Sequence, residues 1–284
     1  MSHFRSRTRT AALLTLSAIG LTACGAGGGD GAAGPQTGDD GVTTIAIGAS
    51  PTPHTRILEF IDKELAPEAE LDLEITTIAD YVQPNVQLQE GTLDANYFQH
   101  EPYLEEQISD RGYDFAHYRG IHIEPYALYS DTVEDVGDLP QGAQIGVSND
   151  PANQGRALEL LQSADLITLE DGKDATNATL NDIADNPKEL EFTATDPAQL
   201  VRALEDLDGA VINGNYALEA DLVPTQDGLL VEDGEDNPYA NFIAVRSEDK
   251  DDPALQKLNE LARSPEVEAY IEETWPKGGV LPAF

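Results

Sequence analysis

The chain has 284 residues, and its 53 acidic residues against 16 basic ones give a formal net charge of −37 at pH 7. A surface this negative repels phosphate backbones, so nucleic acid is excluded as a partner. The single cysteine, Cys24, rules out an intramolecular disulfide, so the fold must be held together by a packed core.

The N-terminal residues have the pattern of a secretory leader. Three arginines lie within the first nine residues, an apolar run follows at 11–21, and the chain then reads Leu-Thr-Ala before Cys24. The apolar run is too short for a transmembrane helix, and small residues before a cysteine are typical of a cleavage site. We therefore predict a lipoprotein signal peptide at residues 1–23, a lipid on Cys24 and a location on the extracytoplasmic face of the cell membrane.

The segment after the cysteine cannot fold by itself. Residues 25–41 consist of Gly, Ala, Asp, Gln, Thr and Pro. Such a segment buries too little apolar surface to become ordered. Residues 24–41 are accordingly predicted to be a lipidated cysteine followed by a flexible tether.

From residue 42 onward, short apolar runs alternate with amphipathic stretches, which is typical of an α/β protein with largely parallel sheets. In chain order, the pattern predicts strands at 43–48, 71–78, 93–98, 115–123, 143–147, 191–194, 209–212 and 241–246. It predicts helices at 54–66, 81–90, 151–164, 197–206, 216–220 and, as one or two helices, 252–273. The helix at 151 is the best defined, because Asp150 suits the N-cap and Pro151 the first helical position.

The order of these elements predicts two α/β lobes. Residues 42–126 and 237–284 are expected to form the first lobe and residues 127–236 the second, so that the chain crosses between them twice. Ligands of open α/β sheets bind beyond the carboxyl ends of the strands, and domain boundaries favour pockets. A ligand cleft is therefore expected at the hinge.

Three polar residues around the start of the helix at 151 are candidates for anion binding. Asn149, Asn153 and Arg156 are spaced four and three residues apart, which places them on one helical face near the helix N-terminus. Arg156 could hold a carboxylate there through two parallel hydrogen bonds. The alternative is an exposed arginine paired with Glu159 or Asp150.

The end of the strand at 209–212 carries a second candidate pair. Asn213 and Asn215 alternate onto one face, and amide side chains can meet both the ammonium and the carboxylate of a zwitterion. Asn213 followed by Gly214 is equally compatible with a tight turn.

In the first lobe, Tyr81, Phe98, His100 and His122 place rings near the ends of predicted elements, where they could enclose an apolar or thioether side chain. Each could equally be a core residue. A metal site built from His100, His122 and Glu124 is a further alternative.

The sequence contains no nucleophile elbow, no glycine-rich phosphate loop and no His-Glu-x-x-His motif, so we expect a binding protein without a cofactor or a resident metal, and not an enzyme.

Several longer motifs, at residues 80–85, 93–100, 122–125, 149–156 and 211–217, resemble those of the NlpA lipoprotein family. The family comprises the methionine-binding proteins of a methionine ABC importer, and the resemblance runs from about residue 43 to residue 284. It implies a two-lobed, type II-like periplasmic-binding-protein fold that closes on its ligand.

By position, the resemblance implies that Arg156 holds the ligand carboxylate, with Asn153 or Asn149 and Asn213 beside it. Asn241 resembles a further polar contact of the family. Tyr81, Phe98, His100 and His122 resemble the pocket for the side chain.

The implied partners are L-methionine or D-methionine, an ABC permease with its ATPase subunit, and the membrane through the lipid anchor, with a monomeric protein expected. A small methionine-containing peptide, another amino acid, a metal ion or an adhesion role stay open as alternatives. One departure from the family is Tyr126–Ala127, where relatives often have Met-Gly, and this places a bulky ring near the hinge.

Overall fold

A computed structural model of the protein describes residues 34–234 and 237–284. The predicted signal peptide, Cys24 and the first part of the predicted tether lie outside the described residues. All described residues belong to one compact unit. Among them, no helix combines the length and the apolar composition needed to cross a bilayer.

Fifteen strands are found in the described part of the chain. They are β1 (Gln36–Thr37), β2 (Thr43–Ala49), β3 (Leu71–Thr77), β4 (Ala95–His100), β5 (Phe115–His117), β6 (His122–Ile123), β7 (Ala127–Tyr129), β8 (Gln144–Ser148), β9 (Thr168–Leu169), β10 (Ile183–Asp185), β11 (Glu191–Thr195), β12 (Gly209–Ile212), β13 (Gly228–Val231), β14 (Asn241–Arg246) and β15 (Leu281–Pro282).

The helices connect these strands or cover the sheets. In the described residues they are α1 (Arg56–Glu64), α2 (Gln83–Gln89), α3 (Glu101–Arg111), α4 (Pro151–Ser163), α5 (Pro197–Ala203), α6 (Gly214–Glu219), α7 (Pro224–Asp227), α8 (Pro253–Ala262) and α9 (Pro265–Thr274).

The strands form two main sheets. The first has the order β1-β2-β4-β14-β6-β15, with β3 also paired to β2 and β5 to β14. The second has the order β11-β8-β12-β7-β13. Parallel pairs such as β2 with β3 and β8 with β11 lie beside antiparallel pairs such as β4 with β14 and β7 with β12. The α/β fold with two main sheets confirms the predicted fold class, but the prediction of largely parallel sheets is wrong. Antiparallel pairs form where the chain returns through β7, β13 and β14.

The chain passes between the two sheets twice. The first passage lies between Ile123, which ends β6, and Ala127, which begins β7. The return lies between Val231, which ends β13, and Asn241, which begins β14. The two passages are joined by a hydrogen bond of 2.8 Å from the N–H of Glu232 to the carbonyl of Tyr126. The two connections between the sheets therefore lie side by side.

Each sheet has its own apolar core. In the first, Ile45 and Ile47 of β2 pack with α1, α8 and α9, and they are fully buried together with Ile57, Leu58 and Ile61. The second is covered by α4 on one face and by α5 and α6 on the other. A small cluster of Phe98, Tyr103 and Ala152, with Tyr81 packed against it, joins residues near the first sheet to α4. Apolar burial at about 25 cal/mol per Å² is the main favourable term in both cores.

Several predicted elements differ from the structure at their edges. The predicted strand at 115–123 is divided into β5 and β6. Gly120 lies between them, so close to Ala240 that an added Cβ would come within 2.6 Å of the Ala240 Cβ. The predicted helix at 252–273 is two helices, since Ser264 caps α9 directly after α8. The tether was predicted to reach residue 41, but β1 already pairs with β2 through a turn in which the N–H of Gly38 donates to Val42.

Two helices were not predicted, the single-turn α7 and the longer α3. Helix α3 buries little more than Tyr103, Leu104 and Gln107. Its apolar face is too narrow to produce a clear helical period, while Gly112, with a φ of 71°, ends it in the left-handed conformation. This helix carries Tyr103 to the site described below.

Candidate functional site

A cavity lies between residues of the first sheet and the N-terminal ends of α4 and α6. The empty space between its lining atoms is about 360 Å³, a volume that includes the part open to solvent. Seven of the nine predicted ligand residues line it, namely Tyr81, Phe98, His100, Asn153, Arg156, Asn213 and Asn241. Asn149 and His122 are not brought to its wall.

Arg156 is buried, and its guanidinium is already held by a partner that the sequence did not indicate. Its Nε and Nη2 donate to the two carboxylate oxygens of Glu232 at 2.8 and 2.5 Å, and Nη2 lies 3.3 Å from the carbonyl oxygen of Glu124. The guanidinium carbon lies 4.0 Å from the ring centre of Tyr239 and 4.7 Å from that of Tyr126. Arg156 therefore forms neither the surface pair with Glu159 nor the pair with Asp150.

These contacts stabilise the charged form of Arg156. Burial opposes the charged form, but the carboxylate of Glu232 and its hydrogen bonds outweigh burial and raise the pKa of Arg156. The Nε–Nη2 edge, which we expected to grip a ligand carboxylate, is occupied by Glu232. Within the described residues Nη1 makes no hydrogen bond, so this nitrogen is the group that can reach a ligand.

The N-terminus of α4 is capped from within the protein. Asp150 accepts from the N–H of Asn153 at 2.8 Å, and Glu106 of α3 accepts from the N–H of Ala152 at 2.9 Å. The N-cap role of Asp150 is thus confirmed, whereas the predicted use of these N–H groups for a ligand anion is not what the structure shows. Asn149 precedes the helix and is exposed, so it does not share the face of Asn153 and Arg156.

A row of amides crosses the cavity. The Oδ1 atom of Asn153 lies 3.2 Å from Nε2 of His100 and accepts from Nδ2 of Asn213 at 2.9 Å. The hydroxyl of Tyr81 donates to Oδ1 of Asn215 at 2.5 Å. These bonds connect side chains near the first sheet to side chains of the second, so both sides of the cavity hold the same network.

Two amide atoms of this row are left over. Among the described residues, Oδ1 of Asn213 and Nδ2 of Asn215 are buried without a hydrogen-bond partner. One is an acceptor and the other a donor. A buried polar atom without a partner costs about 1–3 kcal/mol, so this cavity favours an occupant that offers one donor and one acceptor. The predicted alternation of Asn213 and Asn215 along a strand is wrong, since β12 ends at Ile212 and Asn213 caps α6.

One wall of the cavity is aromatic. The ring centres of Tyr81, Phe98 and Tyr103 lie 5.9 to 6.0 Å from one another. Phe98 and Tyr103 are each 4% exposed, and the Tyr103 hydroxyl donates to the carbonyl of Tyr81 at 3.0 Å. Such a wall suits an apolar or thioether side chain, which packs well against ring faces and edges.

Glu124 is a buried carboxylate in the cavity wall that was not predicted as a ligand contact. Its Oε1 lies 2.8 Å from Nε2 of His122 and 3.3 Å from Nε2 of His54. Oδ1 of Asn241 lies 3.1 Å from the same nitrogen of His54. On the far side of His122, the hydroxyl of Tyr97 bonds to Nδ1. His122 is therefore fully buried behind Glu124 and supports the cavity wall from outside.

The pKa values of these groups follow from burial. Loss of hydration lowers the pKa of His54 to about 4 and that of His122 to about 3, so both rings are neutral at pH 7. Burial also raises the pKa of Glu124, an effect opposed by His54, Arg156 and the backbone N–H of Asn215. His100 is likewise neutral, because burial and then the charge of Arg156 lower its pKa to about 3.

The ligating atoms of His54, His122 and Glu124 lie within 4.8 Å of one another, which is close enough to hold a metal ion. The facing nitrogens are already engaged, however, since Nε2 of His122 bonds to Glu124 and Nε2 of His54 bonds to Asn241, so these two nitrogens need no ion. The alternative metal set of His100, His122 and Glu124 does not form, because His100 bonds to Asn153 instead.

Three residues of the site were not predicted as ligand contacts, namely Tyr103, Glu232 and Glu124, which was named only in the alternative metal set. Glu124 stands two residues after His122 in a short strand and its connection, a spacing that could have drawn attention to the pair. Tyr103 lies on the missed helix α3. Glu232 follows β13 in an acidic run, where nothing local distinguishes it.

A family model, sequence relatives and a solved structure all resemble this chain over most of its length. A family model described as NlpA lipoprotein matches residues 45–284. The methionine-binding lipoprotein MetQ of Bacillus subtilis (strain 168) is 38% identical over 274 residues, which cover 95% of this chain and 96% of that protein. The D-methionine-binding lipoprotein MetQ of Escherichia coli (strain K12) is 38% identical over 238 residues, which cover 83% of this chain and 87% of that protein. A solved nutrient-binding protein from Burkholderia cenocepacia bound to methionine superposes with a TM-score of 0.81 at 43% identity, over 84% of this chain and 100% of that chain.

Proposed function

The chain belongs to the NlpA lipoprotein family, and we propose that it is the solute-binding subunit of an ABC importer that captures methionine between its two lobes. The lobes are residues 42–126 with 237–284, and residues 127–236. The protein binds its ligand and delivers it without chemical change.

The observation that carries this proposal is the set of polar groups in the cavity. Nη1 of Arg156 and the free Nδ2 of Asn215 are donors that suit a carboxylate, whereas the Glu124 carboxylate and the free Oδ1 of Asn213 are acceptors that suit an ammonium. A zwitterionic α-amino acid offers both ionic groups on one carbon. It would satisfy each buried group at once, which a simple anion or cation could not.

The aromatic wall supports methionine among the amino acids. Tyr81, Phe98 and Tyr103 form an apolar surface beside the polar groups, and a thioether gains about 0.3–1.5 kcal/mol from contact with an aromatic ring. An unbranched side chain also adapts to a narrow space between rings. One relative is named for binding methionine and another for binding D-methionine, which supports either isomer as the ligand here.

We further propose that Cys24 carries a lipid which holds the protein, as a monomer, on the extracytoplasmic face of the cell membrane. The tether would let the folded part meet a permease driven by an ATPase subunit. The cross-cavity bonds of His100 with Asn153 and of Tyr81 with Asn215 support closure on a ligand, because a ligand that bridges both sides favours the closed form.

Isothermal titration calorimetry on protein freed of bound ligand by unfolding and refolding tests the proposal. L-methionine, D-methionine, L-leucine and a methionine-containing dipeptide would be compared. We expect L- or D-methionine to bind with a Kd of about 10 µM or lower and L-leucine at least about tenfold more weakly.

A ligand that binds the folded protein must also raise its melting temperature. If neither methionine isomer binds nor shifts the melting temperature, the proposed function is wrong. Tight binding of the dipeptide alone would instead identify a peptide-binding protein.

A further inference from the structure

The buried histidines behind Glu124 take no place in the cavity wall, yet both lie at hydrogen-bond range of its carboxylate. Nε2 of His122 donates to Oε1 of Glu124 at 2.8 Å, and Nε2 of His54 faces the same oxygen at 3.3 Å. The Tyr97 hydroxyl donates to Nδ1 of His122 and so fixes the proton of that ring on Nε2. His54 is 1% exposed and His122 is 0% exposed.

The other side of Glu124 faces the cavity and helix α6. Gly214 lies so close that an added Cβ would come within 2.5 Å of the Glu124 Cβ and 2.9 Å of its Oε2. The carboxylate is thus confined between two imidazoles behind it and the backbone of α6 beside it. Its remaining open direction is the cavity, where the Arg156 guanidinium lies near the Glu124 carbonyl.

We propose that His54 and His122 are positioning residues that hold the Glu124 carboxylate in the cavity, and that this arrangement selects ligands with a positively charged α-ammonium. This inference rests on the proposed function and deepens it. The neutral N–H of His122 donates to the Glu124 oxygen, and the N–H of His54 donates to Oδ1 of Asn241 while lying 3.3 Å from the same Glu124 oxygen. These N–H groups stabilise the ionised form of Glu124 without supplying a positive charge that would compete with the ligand ammonium.

The charges around the carboxylate are consistent with this role. The ionisable groups that face Glu124 are His54, His122, Tyr97 and Tyr81 from the first sheet side, and Arg156 and Glu219 from the second. Arg156 is the only one of them that carries a positive charge at pH 7, and Glu232 already pairs with it. An ammonium is therefore the group that completes the charge balance next to Glu124.

The experiment measures selectivity, which a merely structural role would not change. Calorimetry gives the Kd of methionine and of its α-hydroxy analogue, in which a hydroxyl replaces the ammonium. The proteins compared are wild type, His54→Leu, His122→Leu, His54→Gln and Glu124→Gln, with His117→Gln as control because His117 is half-buried away from this network.

We expect wild type and His117→Gln to prefer methionine over the hydroxy analogue by about 100-fold, as for a charge-assisted contact of about 2–3 kcal/mol. The preference should fall at least about tenfold in both leucine variants and in Glu124→Gln, and it should be restored in His54→Gln, whose amide can donate to Glu124. An unchanged preference in the leucine variants, or an equal loss for both ligands, would overturn the inference while leaving the proposed function intact. A wild-type protein that binds no methionine would overturn both.

A second measurement needs no substitution and so covers the case in which a leucine variant does not fold. Nitrogen-15 NMR of histidine-labelled wild type reports the charge and tautomer of each ring. We expect two neutral rings with the proton on Nε2 at pH 6, assigned with His54→Gln and His122→Gln. Protonated rings at that pH, or protons on Nδ1, would contradict the arrangement.

Discussion

Arg156 and Glu232 form a two-point ion pair in which Nε and Nη2 meet the two carboxylate oxygens at 2.8 and 2.5 Å. The pair links α4 to the segment that follows β13, 76 positions further along the chain. Because Glu232 aligns the guanidinium from one edge, the orientation of Arg156 is fixed before a ligand arrives.

Replacing Arg156 by alanine should weaken L-methionine binding by several kcal/mol, because the ligand carboxylate loses its charged partner in a closed cavity. Calorimetry measures the loss. Arg202→Ala, on the exposed side of α5, is the matched control and should leave the Kd unchanged. A loss of less than about tenfold would argue against this role of Arg156.

Replacing Glu232 by glutamine should lower the free energy of unfolding by about 2–4 kcal/mol, because it leaves the buried guanidinium without its counter-charge. Urea unfolding provides the value, and Glu205→Gln at the exposed turn after α5 serves as the control. In a double-mutant cycle with Arg156→Met, the free energy of unfolding of the double variant should fall by less than the sum of the decreases in the two single variants. Additive losses would mean that the pair contributes nothing to stability.

The neutral state of His54 predicts a pH dependence of stability. Its unfolded pKa is 6.5 and burial lowers the folded value to about 4, so between these values the unfolded chain binds a proton that the folded protein does not. The stability contributed by the neutral ring is full above about pH 6.5 and is lost as the pH falls toward 4. Burial raises the pKa of Glu124 and acts in the opposite sense, so a variant is needed to isolate the histidine.

Compared with His54→Gln, wild type should lose up to about 1.4 kcal/mol more per pH unit between about pH 6 and 4.5. Urea unfolding at several pH values in this range gives the difference in slope. Parallel curves for the two proteins would show that His54 is not neutral in the folded state.

Replacing Gly214 by alanine should push the Glu124 side chain out of position, since the new Cβ would lie 2.5 Å from the Glu124 Cβ. We expect methionine affinity to fall at least about tenfold with the hydroxy analogue affected less, because the ammonium contact depends on Glu124. Gly137→Ala, in an exposed turn remote from the cavity, is the control. Equal weakening of both ligands would indicate a general distortion of the cavity.

The sequence predicted those parts of the site that depend on local patterns. Asp150 and Pro151 fix where α4 begins, and from that point Asn153 and Arg156 fall on the buried face. Asn149 was wrongly placed on this face, because it precedes the N-cap residue and helical spacing does not apply to it. The resemblance to the family added Asn241, which spacing alone did not single out.

The remaining parts depend on contacts between distant segments. Glu232 reaches Arg156 only because two separate connections lie side by side, and no local pattern records this. His122 was identified as a ring near the site, but its place behind Glu124 follows from Tyr97 on β4, which is separated from the strand of His122 by β14. Such long-range pairings require the sheet order, which the pattern of strands and helices does not specify.

The hydrogen bond between Glu232 and Tyr126 has a mechanical consequence. Where two neighbouring connections are hydrogen-bonded to each other, we expect the two lobes to rotate about an axis that passes near this bond. Groups close to the axis then move least. Arg156 is attached there through Glu232, so we expect its cation to move least and the aromatic rings to move further when the lobes turn. Under the proposed function, an amino acid would then meet a nearly fixed cation with its carboxylate, and the rings would close over its side chain.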